Sequence, residues 1–205
     1  MGRASSNKKV ARAARAAGKQ KSTRTSLAWP LSLVAVVALG GVLIFASRGE
    51  RAEAQAPILG DHWHAAIGLY VCGQFQPNVN DAKQDVSGIH SHGDGLMHIH
   101  PFGTRYTGDG ANVGAWADTV GLEVEDDRLK LANGDEYANG DECDGEPGTV
   151  QVKVWNSNAD EQGRLLEGDF AGYAPADGSL LTIAFVPEGT NIPKPPSAGT
   201  APSDI

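Results

Sequence analysis

The 205-residue chain has room for one ordinary domain with additional segments, and its charge is very unevenly distributed. Residues 1–26 hold eight basic side chains and no acidic one, whereas the remaining residues hold nine basic and 25 acidic side chains. The acidic residues after position 26 repel phosphate, so the chain is not a uniformly basic nucleic-acid-binding protein. We therefore expect no nucleic-acid partner. A hydrophobic content of 40% excludes a wholly disordered chain, and two cysteines exclude a disulfide-dense scaffold.

The N-terminal part of the chain predicts a membrane anchor. Residues 27–47 carry no charged side chain, and a helix of this length spans about 30 Å, the thickness of bilayer hydrocarbon. Because the basic residues 1–26 precede this span, we expect a cytoplasmic N-terminus and an extracytoplasmic body at the plasma membrane. A cleaved signal peptide is the alternative, since Ala54-Gln55-Ala56 has the form of a cleavage site.

Composition divides the exported part into a linker, a domain and a tail. Residues 48–56 are a short polar linker, and residues 57–186 are expected to form one globular domain. Residues 187–205 are rich in proline, glycine and serine and predict a disordered tail.

The domain reads as mixed, with more strands than helices. Asp126-Asp127 lies between two short apolar runs and predicts a hairpin, and Gly121 is placed to end a short helix. Alternating or continuous apolar patterns predict the other elements: strands over residues 65–72, 96–102, 150–154 and 180–186, and that helix over residues 112–120. We therefore expect an α+β fold, in which an N-terminal transmembrane helix precedes one strand-rich exported domain with one or two short helices. The order of the last elements is loosely that of a β-grasp fold.

The six histidines of the chain form three His-x-His pairs, namely His62/His64, His90/His92 and His98/His100. Alternate residues of a strand point to the same side, so each pair presents two imidazoles about 6–7 Å apart. A glycine-rich turn over residues 88–95 would fold the second and third pairs together as a hairpin. Because neutral imidazole binds transition metals, the pattern predicts a metal site, with Zn or Cu as the expected cofactor.

Three neighbouring side chains bear on this site. Asp94 and Asp61 are candidate carboxylates that would orient the imidazole rings. Met97 adjoins His98 and could ligate copper through its thioether. Strand parity, however, places this thioether on the opposite face from His98. Two alternatives stay open: histidines that are hydrogen-bonded without a metal, and a pH sensor built from clustered imidazoles.

Three segments carry a resemblance to a known family. They are DHWH at 61–64, YVCG at 70–73 and GIHSHGDGLMHIHPF at 88–102. Together they resemble the signature of a family of actinobacterial single-pass membrane proteins of unknown function, over about residues 25–186. The resemblance implies an anchored topology and a single exported domain, and it supplies no reaction and no ligand.

The two cysteines are expected to meet in a disulfide. Cys72 and Cys143 both lie in the part predicted to be exported, where the compartment is oxidising. Their bond would close a loop of about 70 residues and stabilise the fold by about 4 kcal/mol. The alternative is that Cys72, which shares strand parity with His64, ligates a metal as a thiolate.

The patterns favour a membrane-anchored extracytoplasmic domain that binds a transition metal through its His-x-His pairs, for sensing, buffering or delivery. One alternative is an accessory subunit of a cell-envelope membrane complex, with structural histidines and an envelope protein as its partner. Another is a His-ligated metalloenzyme with an open coordination position. The sequence contains no G-x-S-x-G, Walker or G-x-G-x-x-G motif in a suitable context, which favours binding over catalysis.

Overall fold

The computed structural model of the protein describes residues 28–51, with the side chains of residues 29–41, and residues 57–200. The basic segment 1–26 and most of the predicted linker lie outside the described residues. The chain divides into two units, Met1–Ala52 and Glu53–Ile205. Each unit is described by itself.

The described residues of the first unit form a helix, α1, over Ala28–Arg51. Pro30 lies in its first turn, where a missing N–H costs least, and the Ser32 hydroxyl donates a hydrogen bond to the Trp29 carbonyl. In the part of the chain whose side chains are described, no helix is both long enough and apolar enough to cross a membrane. The anchor over residues 27–47 stays a prediction.

The second unit combines an eight-stranded sheet and a three-stranded sheet with one short α-helix, α2, over Val113–Val120. Two single turns of 3₁₀ helix precede α2, at Thr104–Tyr106 and Gly108–Gly110. The strands β1 to β11 span, in chain order, Trp63–Val71, Gln74–Phe75, Ile89–His90, Leu96–Ile99, Glu123–Val124, Arg128–Lys130, Glu136–Ala138, Glu142–Cys143, Glu146–Trp155, Arg164–Leu165 and Leu180–Pro187. The α+β class predicted from the sequence is confirmed, whereas the β-grasp likeness stays a prediction.

The large sheet has the order β10-β9-β11-β1-β4-β3, with β2 added to β1 and β8 added to β9. Strands β1 and β11 run parallel at its centre, and β4 is antiparallel to both β1 and β3. Both central strands are apolar along almost their whole length, because each is covered on both faces. The small sheet has the order β5-β6-β7.

The main core lies on one face of the large sheet. Ile67 of β1 and Met97 and Ile99 of β4 are buried there with Trp116 of α2. The side chain of Asn112 caps the start of α2 by accepting the Ala115 N–H at 2.9 Å.

Helix α2 ends at the glycine that the sequence indicated. Gly121 has a φ of 78°, in the left-handed region, and its N–H returns to the Ala117 carbonyl. This position favours glycine because it has no Cβ to resist that conformation.

Residues 187–200 cover the opposite face of the large sheet. Ile192 is buried in a second cluster with Ala66, Leu96 and Trp155. The Thr182 hydroxyl of β11 donates to the Pro193 carbonyl at 2.8 Å. The sequence predicted a disordered tail from residue 187, and its described part is instead packed, because the central strands expose apolar side chains that need a cover. Residues 201–205 lie outside the described residues.

A disulfide joins Cys72, just after β1, to Cys143 of β8, as the sequence predicted. The two Cα atoms are 5.3 Å apart and 71 positions separate the residues. Among the described residues no cysteine is free. The alternative in which the Cys72 thiolate ligates a metal is therefore wrong for this structure.

Candidate metal centre

Three histidines form a row across three adjacent strands. The register pairs His64 of β1 with His98 of β4, and His98 with His90 of β3. Directly opposed residues place their Cβ atoms about 5 Å apart on one face. The row therefore follows from the order β1-β4-β3 and from strand parity, and it lies on the face of Ala66 and Leu96.

The other three histidines extend this row at the strand ends. His62 precedes β1, His100 follows β4, and His92 follows β3. The ring centroids of His62 and His100 are 5.2 Å apart, and those of His92 and His98 are 4.6 Å apart. Each of the six rings has its centroid within 4.8 Å of another histidine ring. The structure thus gathers all three predicted pairs into one histidine cluster.

The first trio consists of His62, His64 and His98. Its side chains lie close enough together to bind one metal ion. One ligand atom from each lies within 4.8 Å of the other two. The side chain of His64 is buried, that of His98 is half-buried and that of His62 is exposed. A buried ligand and an exposed one give a site that is held firmly on one side and open to solvent on the other.

A carboxylate orients one ring of the first trio. Asp94 Oδ2 lies 2.9 Å from His98 Nε2, while Asp94 Oδ1 accepts the Leu96 N–H. Burial pushes the pKa of Asp94 upward, but the hydrogen bonds from His98 and Leu96 outweigh it and hold that pKa below its ordinary value. An ionised Asp94 accepts a hydrogen bond from the Nε2–H of His98, which leaves His98 Nδ1 as the ring nitrogen with a lone pair for a metal.

Asp61, the other carboxylate that the sequence suggested, has a different contact. Its Oδ2 accepts the Ile58 N–H at 2.8 Å within a turn that precedes β1. The structure therefore gives Asp61 a local turn-forming role instead of the ring-orienting role predicted for it.

The second trio consists of His90, His92 and His100. Ring nitrogens of the other two histidines both approach Nε2 of His90. His90 Nε2 lies 2.9 Å from His92 Nε2 and 3.4 Å from His100 Nε2. His90 is buried, His100 half-buried and His92 exposed. The second trio thus repeats the graded burial of the first.

Asp85 orients His90, and sequence reasoning missed it. Asp85 Oδ2 lies 2.7 Å from His90 Nδ1, and Oδ1 accepts the N–H groups of Ser87 and Gly88. Burial pushes the pKa of Asp85 upward, but the hydrogen bonds from Gly88, His90 and Ser87 outweigh it and lower that pKa overall. The Asp-x-Ser-Gly spacing just before the second pair is typical of an aspartate that closes a turn, and it was the available signal.

The turn over residues 91–95, which follows β3, is tied to the core by Ser91. The Ser91 hydroxyl accepts the indole N–H of Trp116 at 2.9 Å and donates to the Leu96 carbonyl. Asp81 accepts the Ser91 N–H as well. These bonds fix the backbone between His90 and His92 against helix α2.

Gly88 allows β3 to start where it does. Its φ is 80°, and a Cβ at this position would collide with the carbonyl oxygen of His100. The same close approach lets the His100 N–H bond the Gly88 carbonyl at 2.8 Å. Any larger residue would push β3 away from the end of β4 and from His100.

Two rings of the cluster resist protonation. Burial lowers the pKa of His98 below 6.5, and the neighbouring rings of His64 and His92 lower it further, against the opposing effect of Asp94. Burial also lowers the pKa of His100, helped by His90 and His62. Near neutral pH both rings are therefore uncharged, which is the form that binds a metal.

The donor set of the cluster consists of imidazoles and carboxylates. Met97 does not join it, since its side chain is fully buried in the main core on the other face of β4. Imidazole nitrogen suits Zn and Cu alike, so the ligands alone do not choose between these two ions.

Comparison with known proteins adds no relative: no protein-family model matches the chain, no curated protein matches it, and no solved structure matches it. The resemblance to an actinobacterial membrane-protein family stays a prediction.

Proposed function

We propose that the domain is a metal-binding module that takes a transition-metal ion, Zn or Cu, through the first trio. The observation that carries the proposal is the approach of three ring nitrogens, from His62, His64 and His98, to within 4.8 Å of one another. Three imidazoles with one position left for water or a further ligand are an established ligand set for zinc.

The spacing of the first trio is close to what an ion needs. Ligand nitrogens about 2.0–2.1 Å from a tetrahedral zinc stand about 3.4 Å apart. The first trio must therefore contract by up to about 1.4 Å between its most distant nitrogens. His62 is exposed and precedes β1, so its ring can make this movement while His64 stays fixed by burial.

We place the module outside the membrane, anchored by residues 27–47. Seven large apolar side chains of α1 are more than half exposed, among them Trp29 at 73% and Val36 at 69%. A helix with this surface needs an apolar environment. The disulfide supports an oxidising compartment for the second unit. Sensing, buffering or delivery of the ion on the extracytoplasmic side fits these features.

The proposal is tested by measuring bound metal on the full-length protein, purified in detergent with a tag that contains no histidine. After chelation and incubation with Zn²⁺ or Cu²⁺, equilibrium dialysis followed by elemental analysis should give at least one tight equivalent of one of these ions. His62→Gln, which removes an exposed ligand of the first trio, should lower the bound metal by one equivalent while preserving the fold.

The matched control is Asp118→Asn, an exposed substitution at a side chain that pairs with Lys83. It should bind metal as the wild type does. Metal content at background in the wild type, or the same number of bound equivalents in His62→Gln as in the wild type, would overturn the proposal.

A further inference from the structure

We infer that the histidine cluster holds a second metal ion, bound by the second trio, so that the complete site contains two ions side by side. The inference rests on the proposed function, since it extends the same cluster. It assigns His90, His92 and His100 as ligands of the second ion and Asp85 as the residue that positions His90.

Two of the three distances within the second trio, those from His90 to its two partners, match the spacing of ligands on a common ion. His90 Nε2 lies 2.9 Å from His92 Nε2 and 3.4 Å from His100 Nε2. Nitrogens about 2.05 Å from one ion stand about 2.9 Å apart at a right angle and about 3.4 Å apart at a tetrahedral angle. In these two distances the second trio already has the spacing that the first trio reaches only after contraction.

Hydrogen bonding alone leaves this arrangement incomplete. Asp85 Oδ2 lies 2.7 Å from His90 Nδ1, and with Nδ1–H donating to that oxygen, His90 Nε2 offers one lone pair. Two nitrogens, from His92 and His100, approach that single lone pair. Only one of these two rings can donate a good hydrogen bond to His90 Nε2. One metal ion, by contrast, can accept a lone pair from each of the three rings.

Asp85 completes a carboxylate–imidazole–metal arrangement. Its Oδ2 holds His90 Nδ1 at 2.7 Å, and its Oδ1 is fixed by two backbone N–H groups and the Ser87 hydroxyl. Such a carboxylate sets the ring orientation and raises the basicity of the ligating nitrogen. Asp94 stands in the same relation to His98 of the first trio. Each trio therefore has its own carboxylate.

The two trios adjoin each other. The ring of His98 lies 4.6 Å from that of His92 and 5.6 Å from that of His90, between centroids. Two divalent ions this close repel each other, and the negative charges of Asp85 and Asp94 offset part of that repulsion. Whichever trio is occupied first, the ion that binds next is consequently expected to bind more weakly than it would alone.

The test is a Zn²⁺ titration of the full-length protein in detergent, read by equilibrium dialysis and elemental analysis. The wild type should bind two equivalents with different affinities. His92→Gln, at an exposed ligand of the second trio, and His62→Gln, at an exposed ligand of the first, should each retain one equivalent. The double variant should retain none.

A positioning role for Asp85 has its own readout. Asp85→Asn should weaken one equivalent by about 10–100-fold and leave the other unchanged. Asp118→Asn is the matched control and should change neither. With two equivalents of Cu²⁺, the electron paramagnetic resonance spectrum should show coupled ions in the wild type and an isolated ion in His92→Gln.

The outcomes separate this inference from the proposed function. One equivalent in the wild type, lost in His62→Gln and kept in His92→Gln, overturns the second ion and leaves the first. One equivalent that both variants lose means a single shared ion and also overturns the inference. Two Cu²⁺ equivalents without coupling overturn the adjoining arrangement, and no bound metal at all overturns both proposals.

Discussion

The two ends of strand β1 are braced in different ways. Its first residues, with His62 just before them, belong to the histidine cluster, and the strand ends one residue before Cys72 and its bond to Cys143. The covalent link is sensitive to reductants, whereas we expect the imidazole end to respond to protons and metal ions. Because the disulfide constrains one end of the strand, we expect the histidine end to gain or lose an ion without unfolding of the sheet.

The largest effect is expected from breaking the covalent end. Reduction, or the double variant Cys72→Ala/Cys143→Ala, should lower the free energy of unfolding by about 4 kcal/mol, since a closed loop of about 70 residues opens in the unfolded chain. Denaturant unfolding of oxidised and reduced protein measures this difference.

Metal stoichiometry is the control in that experiment, and it should be the same in the oxidised and the reduced protein. A reduced protein that unfolds at the same denaturant concentration as the oxidised one would contradict the first expectation. A reduced protein that folds but loses its metal would show that the two ends of β1 depend on each other.

A smaller effect is expected at the histidine end from Ser91→Ala. The buried indole N–H of Trp116 would lose its acceptor, which should cost about 1–3 kcal/mol of unfolding free energy. The control is Ser157→Ala, an exposed serine, which should cost less than about 0.5 kcal/mol. Equal losses in the two variants, measured by denaturant unfolding, would show that Ser91 does not anchor the turn.

The smallest effect is expected from pH, and it should act on the histidine end alone. The folded-state pKa values of His98 and His100 lie below 6.5, so as pH falls below 6.5 the unfolded chain takes up protons before the folded one does. The metal-free protein should therefore lose stability on acidification from pH 7 until those folded pKa values are passed.

Urea unfolding in the presence of a chelator, at several pH values, measures this loss. The variant His98→Gln/His100→Gln should show a flatter dependence over the same range. Asp85 and Asp94 act in a separate, more acidic window, because their pKa values are lowered from 3.8. Stability that rises between pH 7 and pH 5 would contradict the assigned direction.

Local patterns were sufficient to predict much of the fold. The alternation after residue 65, the continuous apolar run after residue 180 and the glycine after α2 predicted elements that the structure contains. Parity also placed the Met97 side chain on the face opposite His98, as the structure has it. In each case neighbouring residues in the sequence hold the information.

Other features depend on contacts between distant segments. The sequence predicted the hairpin that brings the second and third pairs together. The pairing of β4 with β1 as well as with β3 adds the first pair, so that histidines of three strands meet. Asp85 closes a turn through its Oδ1. The contact of its Oδ2 with His90 has no sequence signature of its own. The proline-, glycine- and serine-rich composition of the C-terminal residues did not indicate that Ile192 packs on the sheet.

The packed C-terminal segment decides how the second unit can be produced in the laboratory. A recombinant version cut after residue 186 would lose Ile192 and Pro193, leave the Thr182 hydroxyl without its acceptor, and bare the apolar cluster around Trp155 to water. Such a fragment is expected to self-associate during expression. Versions that run to at least residue 200 keep this surface covered and are the ones suited to metal titration in the absence of detergent.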